Sequence, residues 1–325
     1  MGRYNVCVVG ASGLVGTELI KVLHERRFPI LSLSLFSSRS SSGKIINING
    51  QDYPIKSIEE IDPSGCDIAF FATESDISKR YIPQFIDAGA FVIDKSRAYR
   101  YDPQIPLVVP EINGDQISSD TRLVANPNCI TTQLVLSLAP LRRLSKIERV
   151  IITTCQSVSG AGHKALEHYL LPEKENPFPY PLHKNIIPFI GEIRDDNFCE
   201  EEETIIKETQ KIIGEMIPIS VTTLRVPLPY AHSISVWVRL ENEIGLEKIK
   251  RAFETFPGIS YRESPPPMPV LDAGKDEVYV GRLRVDKYDR SAVMFFTVAD
   301  NLRKGAATNA VQIAELAILK GSIRK

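Results

Sequence analysis

The sequence predicts an α/β protein of two domains, an N-terminal doubly wound parallel sheet followed by a mixed α+β domain. Three observations predict it. The chain has 325 residues, more than a single hydrophobic core usually spans. Its first part alternates short apolar runs with segments of helical periodicity, the pattern of a parallel sheet whose crossovers are helices. After about residue 127 the rhythm lengthens into β-rich segments.

Taken in order, residues 5–9 form a continuous apolar run, and 13–24 then place Leu14, Val15, Leu19, Val22 and Leu23 at helical spacing. Further strands are predicted at 31–36, 67–72, 91–94, 107–109 and 123–125. In the second part strands are predicted at 150–158, 219–225, 233–240, 278–284 and 292–299. The serine run 37–42 and the proline-rich stretch 172–188 read as loops. The last stretch carries Ala307, Val311, Ala314, Leu316 and Ala317 on an apolar stripe. The expected division is therefore 1–127 and 128–303, with a helix over 304–325 returning to the first domain.

A net charge of -1 gives no electrostatic reason to bind a polyanion, so nucleic acid is not an expected partner. The first strand starts at Asn5, which leaves no room for a signal peptide, and no apolar stretch is long enough to cross a bilayer. A cytoplasmic protein without a membrane partner is expected. The five cysteines, Cys7, Cys66, Cys129, Cys155 and Cys199, include no CxxC pair, so neither disulfides nor a metal site is expected. Cys7, Cys66 and Cys155 read as small buried apolar residues, and Cys129 is set apart by its context.

Between the first strand and helix stands Gly10-Ala11-Ser12-Gly13-Leu14-Val15-Gly16, at the point where a Rossmann-like fold places its phosphate loop. Gly10, Ser12, Gly13, Leu14 and Val15 would cradle a pyrophosphate against the start of the helix. A glycine-rich turn without a ligand is the alternative. After the second strand, where an NAD enzyme usually carries an acidic residue, the chain reads Ser37-Ser38-Arg39-Ser40. Ser37, Arg39 and Ser40 suit a 2′-phosphate, so NADP is favoured over NAD. The alternative for Arg39 is a solvated loop cation.

Ala125-Asn126-Pro127-Asn128-Cys129 ends a strand and opens an apolar helix running from Ile130 toward Leu138. A cysteine at a helix start is stabilised as thiolate by the dipole and the unpaired amides. Those amides and the Asn128 side chain could also hold an oxyanion.

Pro127-Asn128-Cys129, Gln156-Ser157-Val158-Ser159-Gly160-Ala161-Gly162, and Arg225-Val226-Pro227 with Ala231-His232-Ser233 resemble, in that order, three signature segments of aspartate-semialdehyde dehydrogenases. Val109-Pro110-Glu111-Ile112-Asn113, Val280-Gly281-Arg282 and the segment Asp300-Asn301-Leu302-Arg303-Lys304-Gly305-Ala306-Ala307 extend the likeness over nearly the whole chain. The Ala-His-Ser form is that of the bacterial branch. The resemblance implies NADP-linked reduction of aspartyl phosphate in the biosynthesis of lysine, threonine, methionine and diaminopimelate. It makes Cys129 the nucleophile, His232 the general acid and base, and Gln156 the group that orients the reacting centre, beside Asn128. It also implies that Arg225 binds the substrate carboxylate, Arg100 the phosphate and Glu201 the ammonium, with Ser159, Gly160, Gly162 and Asn309 near the nicotinamide. A homodimer or homotetramer built through the second domains is implied too.

The pattern breaks at Thr204, where the family usually has a lysine, and at Lys95 and Arg97, which add two cations where it has none. Compensation and unrelated exposed cations are both open readings. By itself Glu201 would read as one more charge in the solvated helix start 200–203. The competing functions are an N-acetylglutamyl-phosphate reductase, which typically has Pro-Gly-Cys instead, a glyceraldehyde-phosphate dehydrogenase, and a noncatalytic homologue.

Overall fold

The computed structural model describes residues 2–48 and 50–323. Met1, Arg324 and Lys325, which the predicted first domain and returning helix include, lie outside the described residues, as does Asn49. The chain forms two compact units, Met1–Pro127 with Ala306–Lys325, and Asn128–Gly305.

The first unit lays down β1 (Tyr4–Val9), α1 (Leu14–Glu25), β2 (Ile30–Ser37), β3 (Ile45–Ile48), β4 (Gln51–Ser57), β5 (Ile68–Phe71), α2 (Ser75–Asp87), β6 (Phe91–Asp94), α3 (Pro110–Asn113) and β7 (Leu123–Ala125). The strands join one sheet in the order β3-β4-β2-β1-β5-β6-β7. Every pairing is parallel except β3 on β4, so the sheet is mixed at one edge rather than wholly parallel. That edge pair was hidden in the sequence because Asn47, Asp52, Pro54 and Lys56 blur the apolar period.

Alternate strand residues feed two cores. Val6, Val8, Phe70 and Phe91 pack with Leu19, Ile20 and Leu23 of α1, and Val9, Ala69, Phe71 and Val92 pack with Tyr81, Ile82 and Phe85 of α2. Burial on both faces is why these strands read as continuous apolar runs. Two sequence expectations fail here. Residues 107–109 make only the bridge Leu107↔Ala125 before α3 begins, since the flanking Pro106 and Pro110 lack the amide hydrogen a ladder needs. The serine run is not wholly loop: Ser37 ends β2 and Arg39–Ser41 form a 3-10 turn.

The second unit contains α4 (Cys129–Arg142), β8 (Ile147–Gln156), α5 (His163–Leu170), α6 (Glu200–Ile213), β9 (Ile219–Arg225), β10 (His232–Leu240), α7 (Leu246–Thr255), β11 (Ile259–Tyr261), α8 (Pro269–Asp272), β12 (Val278–Val285) and β13 (Ala292–Ala299). Its sheet runs β11-β12-β13-β10-β8-β9, and α4, α6 and α7 pack on it. Ile151, Trp237 and Met294 stand side by side in register, alternating with the buried Val150, Ile152, Val236 and Val238; Ile151 remains 40% exposed.

The chain returns to the first unit through a π-helical turn, Arg303–Ala307, and α9 (Thr308–Leu319). The helix predicted over 304–325 is thus shorter at both ends, and the chain turns at Gly321, with φ +72. Val311, Ala314 and Ala317 of α9 complete the core around α1. Among the described residues no helix is long and apolar enough to cross a membrane, and no cluster of His, Cys, Asp and Glu has the composition of a metal site.

Candidate active site

Strand parity assembles the heart of the site. Gln156 pairs with Arg225 across β8 and β9, and His232 begins β10 beside them. On each strand the burial alternates, and all three residues fall on the buried parity, at 2%, 5% and 0% exposure. Three polar side chains thus end neighbouring strands at the same edge and the same face.

Two helices bring the remaining groups. α4 starts at Cys129, and its N-cap Asn128 accepts from the amides of Ile130 and Thr131 at 2.8 and 3.4 Å. This corrects the expectation that those amides are unpaired and available to an oxyanion: the side chain spends its oxygen on the cap. Its Nδ2 donates instead to Glu201 Oε1 at 3.0 Å. Gln156 Nε2 donates to the same oxygen at 3.2 Å. One helix turn pair further along α6, Glu208 accepts from the Asn128 amide at 2.7 Å.

Glu201, at 4% exposure, is therefore no solvated charge. Glu202 is buried too and closes a capping box with Cys199. Thr204, where the family usually has a lysine, donates to Glu200 O at 2.8 Å and supplies no cation.

Arg225 donates to Ser157 O at 2.5 Å. Burial pushes its guanidinium below the ordinary range, while the negative charge of Glu201 and of Cys129 acts in the opposite direction. Those two groups are therefore its electrostatic neighbours, and the guanidinium stays protonated. A methyl group on Gly160 would lie 3.1 Å from Arg225 Nη1 and 3.1 Å from His232 Nε2, so one glycine lies against both. A methyl on Gly305 would come within 2.8 Å of Cys129 Cβ. His232 Nδ1 lies 3.0 Å from the Ser157 amide and 3.0 Å from its hydroxyl. Ser159 donates to Asn301, in the turn Val158–Ala161 that also holds Gly160.

Cys129, Asn128, Gln156, Ser159, Gly160, Glu201, Arg225 and His232 thus belong to one constellation within the second unit. Gly162 stands beside it, with φ +89. Glu208, Ser157, Asn301 and Gly305 were not assigned a role from the sequence. The spacing of seven between Glu201 and Glu208 could have revealed the first, because it puts both on one helix face.

The remaining predicted residues lie in the first unit. Gly10 has φ +88, and a methyl there would meet Ala72 O at 2.3 Å; one on Gly16 would meet Gly10 O at 2.2 Å. The N-cap of α1 is Gly13, which offers no side chain to the amides of Leu14 and Val15. Ser12 Oγ meets Ser37 Oγ at 2.5 Å, which joins the loop to the end of β2, and Ser38 meets Ser40. Arg39 is exposed just beyond. A tight turn, uncapped amides and a neighbouring guanidinium fit a dinucleotide phosphate. Arg100 is buried and donates to Lys95 O at 2.6 Å, while Arg97 is exposed. Asn309 is buried and donates to Val108 O and Asn126 Oδ1.

Residues 5–120 match the family model of the semialdehyde dehydrogenase NAD binding domain, and 138–304 that of the semialdehyde dehydrogenase dimerisation domain. The chain is 40% identical to an aspartate-semialdehyde dehydrogenase of Aquifex aeolicus, covering 98% of this chain and 99% of that one. The crystal structure of aspartate semialdehyde dehydrogenase II from Vibrio cholerae superposes with a TM-score of 0.94 at 39% identity, over 98% of this chain and 99% of that one. A second structure of the same Vibrio enzyme, complexed with ASA, matches equally well.

Proposed function

Because the chain belongs to the aspartate-semialdehyde dehydrogenase family of oxidoreductases, we propose that it reduces L-aspartyl-4-phosphate to L-aspartate-4-semialdehyde with NADPH, through a thioester on Cys129. The observation that carries this reading is the meeting of a thiol, an imidazole, a buried guanidinium and a buried carboxylate in one unit. A free amino acid needs that pair: Arg225 grips the α-carboxylate through two parallel hydrogen bonds, and Glu201 accepts from the ammonium. The side-chain carbonyl then lies toward Cys129. Its thiolate attacks the acyl carbon, and phosphate leaves with the electron pair of the broken C–O bond. The dinucleotide, when bound, supplies the hydride that reduces the thioester. His232 gives a proton to the thiohemiacetal oxygen and takes it back as the C–S bond breaks, which returns the thiolate and frees the aldehyde.

Asn128 favours this substrate over an N-acetylated one. Its Nδ2 helps hold Glu201 in place, a contact that glycine cannot make, and Glu201 has no purpose for a substrate without an ammonium. In the first unit, Gly10, Ser12, Gly13, Leu14 and Val15 hold the pyrophosphate, Ser37, Arg39 and Ser40 select NADP, and Arg100 is assigned to the substrate phosphate on the family resemblance, with Lys95 and Arg97 as added positive charge. Ser159, Gly160, Gly162 and Asn309 are assigned to the nicotinamide on the same basis. A homodimer through the sheet face bearing Ile151, Trp237 and Met294 accords with the name of the matching dimerisation domain. The setting is cytoplasmic biosynthesis of lysine, threonine, methionine and diaminopimelate.

The test is a steady-state assay in the oxidative direction with aspartate semialdehyde, phosphate and NADP. Turnover that needs all three is the expected result. A folded protein that turns over only N-acetylglutamate semialdehyde, or neither aldehyde, overturns the reading.

A further inference from the structure

The chain that delivers His232 has to cross the end of β8, because the sheet order is β13-β10-β8-β9. The crossing is short: β9 ends at Arg225 and β10 begins at His232. Its last residue, Ala231, is buried and sits at φ +63, a left-handed conformation that an alanine leaves unless its surroundings enforce it. The antiparallel ladder of β10 on β13 stops at His232↔Ala299, so no strand pairing holds Ala231. A side chain takes over there, and Ala231 N donates to Asn301 Oδ1 at 3.2 Å. An amide hydrogen needs an acceptor, which fixes the face that the Asn301 carboxamide presents.

We propose that Asn301 is a positioning residue that holds Ala231 in the left-handed conformation and so aims the His232 ring at the reacting centre. The inference rests on the general acid and base role given above to His232. The same Asn301 oxygen accepts from the Ser159 hydroxyl at 3.1 Å, and the Ser157 hydroxyl is also within 3.1 Å. Ser159 belongs to the turn Val158–Ala161, which is tied to the crossing by Val158 N on Leu228 O at 2.8 Å and Ser159 N on Pro229 O at 3.1 Å. Asn301 thus clamps that turn to the residue before His232. The ring is caught between them: its Nδ1 accepts from the Ser157 amide at 3.0 Å, and a methyl on Gly160 would stand 3.1 Å from its Nε2. The clamp is itself anchored. Asn301 is 4% exposed, and the carboxylate of the neighbouring Asp300 accepts from the amides of Gly274, Leu302 and Arg303 at 2.7, 2.8 and 3.2 Å. Arg225 and Glu201 are held by other groups, the first by Ser157 O and the second by the side-chain amides of Asn128 and Gln156. Loss of Asn301 should therefore misplace the imidazole and spare the grip on the substrate.

The experiment compares wild type, Asn301→Ala, Ala231→Gly and the double variant. It reads kcat, KM for aspartate semialdehyde, and the NMR signals of the His232 ring, assigned by their loss in His232→Gln. Asn301→Ala is expected to lower kcat about tenfold to a hundredfold, the effect of a misplacement of up to about 1 Å, with KM little changed and the ring signals shifted. Glycine enters the left-handed region without enforcement, and Ala231→Gly alone measures what the lost methyl contributes. In the double variant kcat should recover by about tenfold over Asn301→Ala, the factor that corresponds to the left-handed preference of glycine over alanine, and the ring signals should return toward those of wild type. A merely structural contact would not be rescued in this way, since the second substitution only deletes another buried methyl. Asn301→Ala within about twofold of wild type, or a double variant no more active than Asn301→Ala, overturns the proposal. Should Asn301→Ala alone fail to fold, recovery of folded enzyme in the double variant supports the clamp, and failure of both overturns it. If wild type does not turn over aspartate semialdehyde, the assigned reaction falls, whereas the ring signals of the four proteins still read the clamp.

Discussion

Gly160→Ala tests the constellation at its most crowded point. Gly160 lies in the 3-10 turn Val158–Ala161 and does not need a left-handed backbone, so the substitution adds a methyl without straining the chain. That methyl would stand 3.1 Å from Arg225 Nη1 and 3.1 Å from both Cε1 and Nε2 of His232. Comfortable contacts between such atoms begin at about 3.5 Å, so each ring or guanidinium must retreat by roughly half an ångström. A misplacement of about 1 Å costs on the order of 10²-fold in rate. Two groups displaced by half that distance predict a fall in kcat/KM of about tenfold to a hundredfold, with a stability cost of about 1–3 kcal/mol from overpacking. The assay follows reduced cofactor with varied aspartate semialdehyde, alongside thermal unfolding. Gly162→Ala is the control: no atom stands within 4 Å of its added methyl, but φ is +89. It should lose about 1–2 kcal/mol of stability through backbone strain and less activity than Gly160→Ala. A folded Gly160→Ala enzyme within twofold of wild type would refute the crowding of Arg225 and His232 around the reacting centre.

Cys129→Ser should fold and lose almost all turnover, since serine is nearly isosteric but a far weaker nucleophile; Cys7, Cys66 and Cys199 are buried, and burial raises the Cys155 thiol pKa, so mass spectrometry should find iodoacetamide on Cys129 first, and earlier labelling of Cys155 counts against it. Arg225→Lys loses the two-pronged grip on a carboxylate, and is expected to raise KM for aspartate semialdehyde about tenfold or more, as judged from one pair of charge-assisted hydrogen bonds, with cofactor affinity unchanged; a wild-type KM sinks the assignment. Arg39→Ala should weaken NADP binding at least tenfold more than NAD binding, measured by calorimetry, and equal losses would remove it from the cofactor site. Burial raises the Asp94 carboxyl above its ordinary 3.8, so its folded pKa exceeds its unfolded one and its contribution to stability, complete below the unfolded pKa, is lost as pH rises through the folded pKa. Asp94→Asn should therefore gain in melting temperature relative to wild type as pH is raised through that window, and a constant difference would contradict the raised carboxyl.

Much of this was legible in the sequence because local chemistry and tertiary placement agree. The glycine loop follows an apolar strand and opens a helix, and Gly10 and Gly16 are glycines for a reason visible in the fold: backbone oxygens stand where their side chains would be. Cys129 at a helix start needed only Asn128 before it and an apolar run after it. Glu201 was harder. A run of four glutamates reads as solvent-facing, whereas the side-chain amides of Asn128 and Gln156, distant in sequence, meet the Glu201 carboxylate in the fold. Asn301 and Ser157 were invisible as a pair, since 144 residues separate them. Strand 107–109 was misread because two prolines allow an apolar run without allowing a ladder, and the β3–β4 edge was missed because an edge strand buries too little to show a period.

The return of α9 to the first unit has a consequence for synthesis. A nascent chain emerges from its N-terminus, so the sheet β1 to β7 is complete long before Val311, Ala314 and Ala317 exist to cover the α1 side of its core. The whole of the second unit, Asn128–Gly305, is translated in between, and at about 5–20 residues per second that interval lasts roughly 10 to 35 seconds. During it Val6, Val8, Phe70 and Phe91 lack their last partner. The second unit, continuous in sequence, has every residue it needs on release, and it is the unit that should fold first on the ribosome.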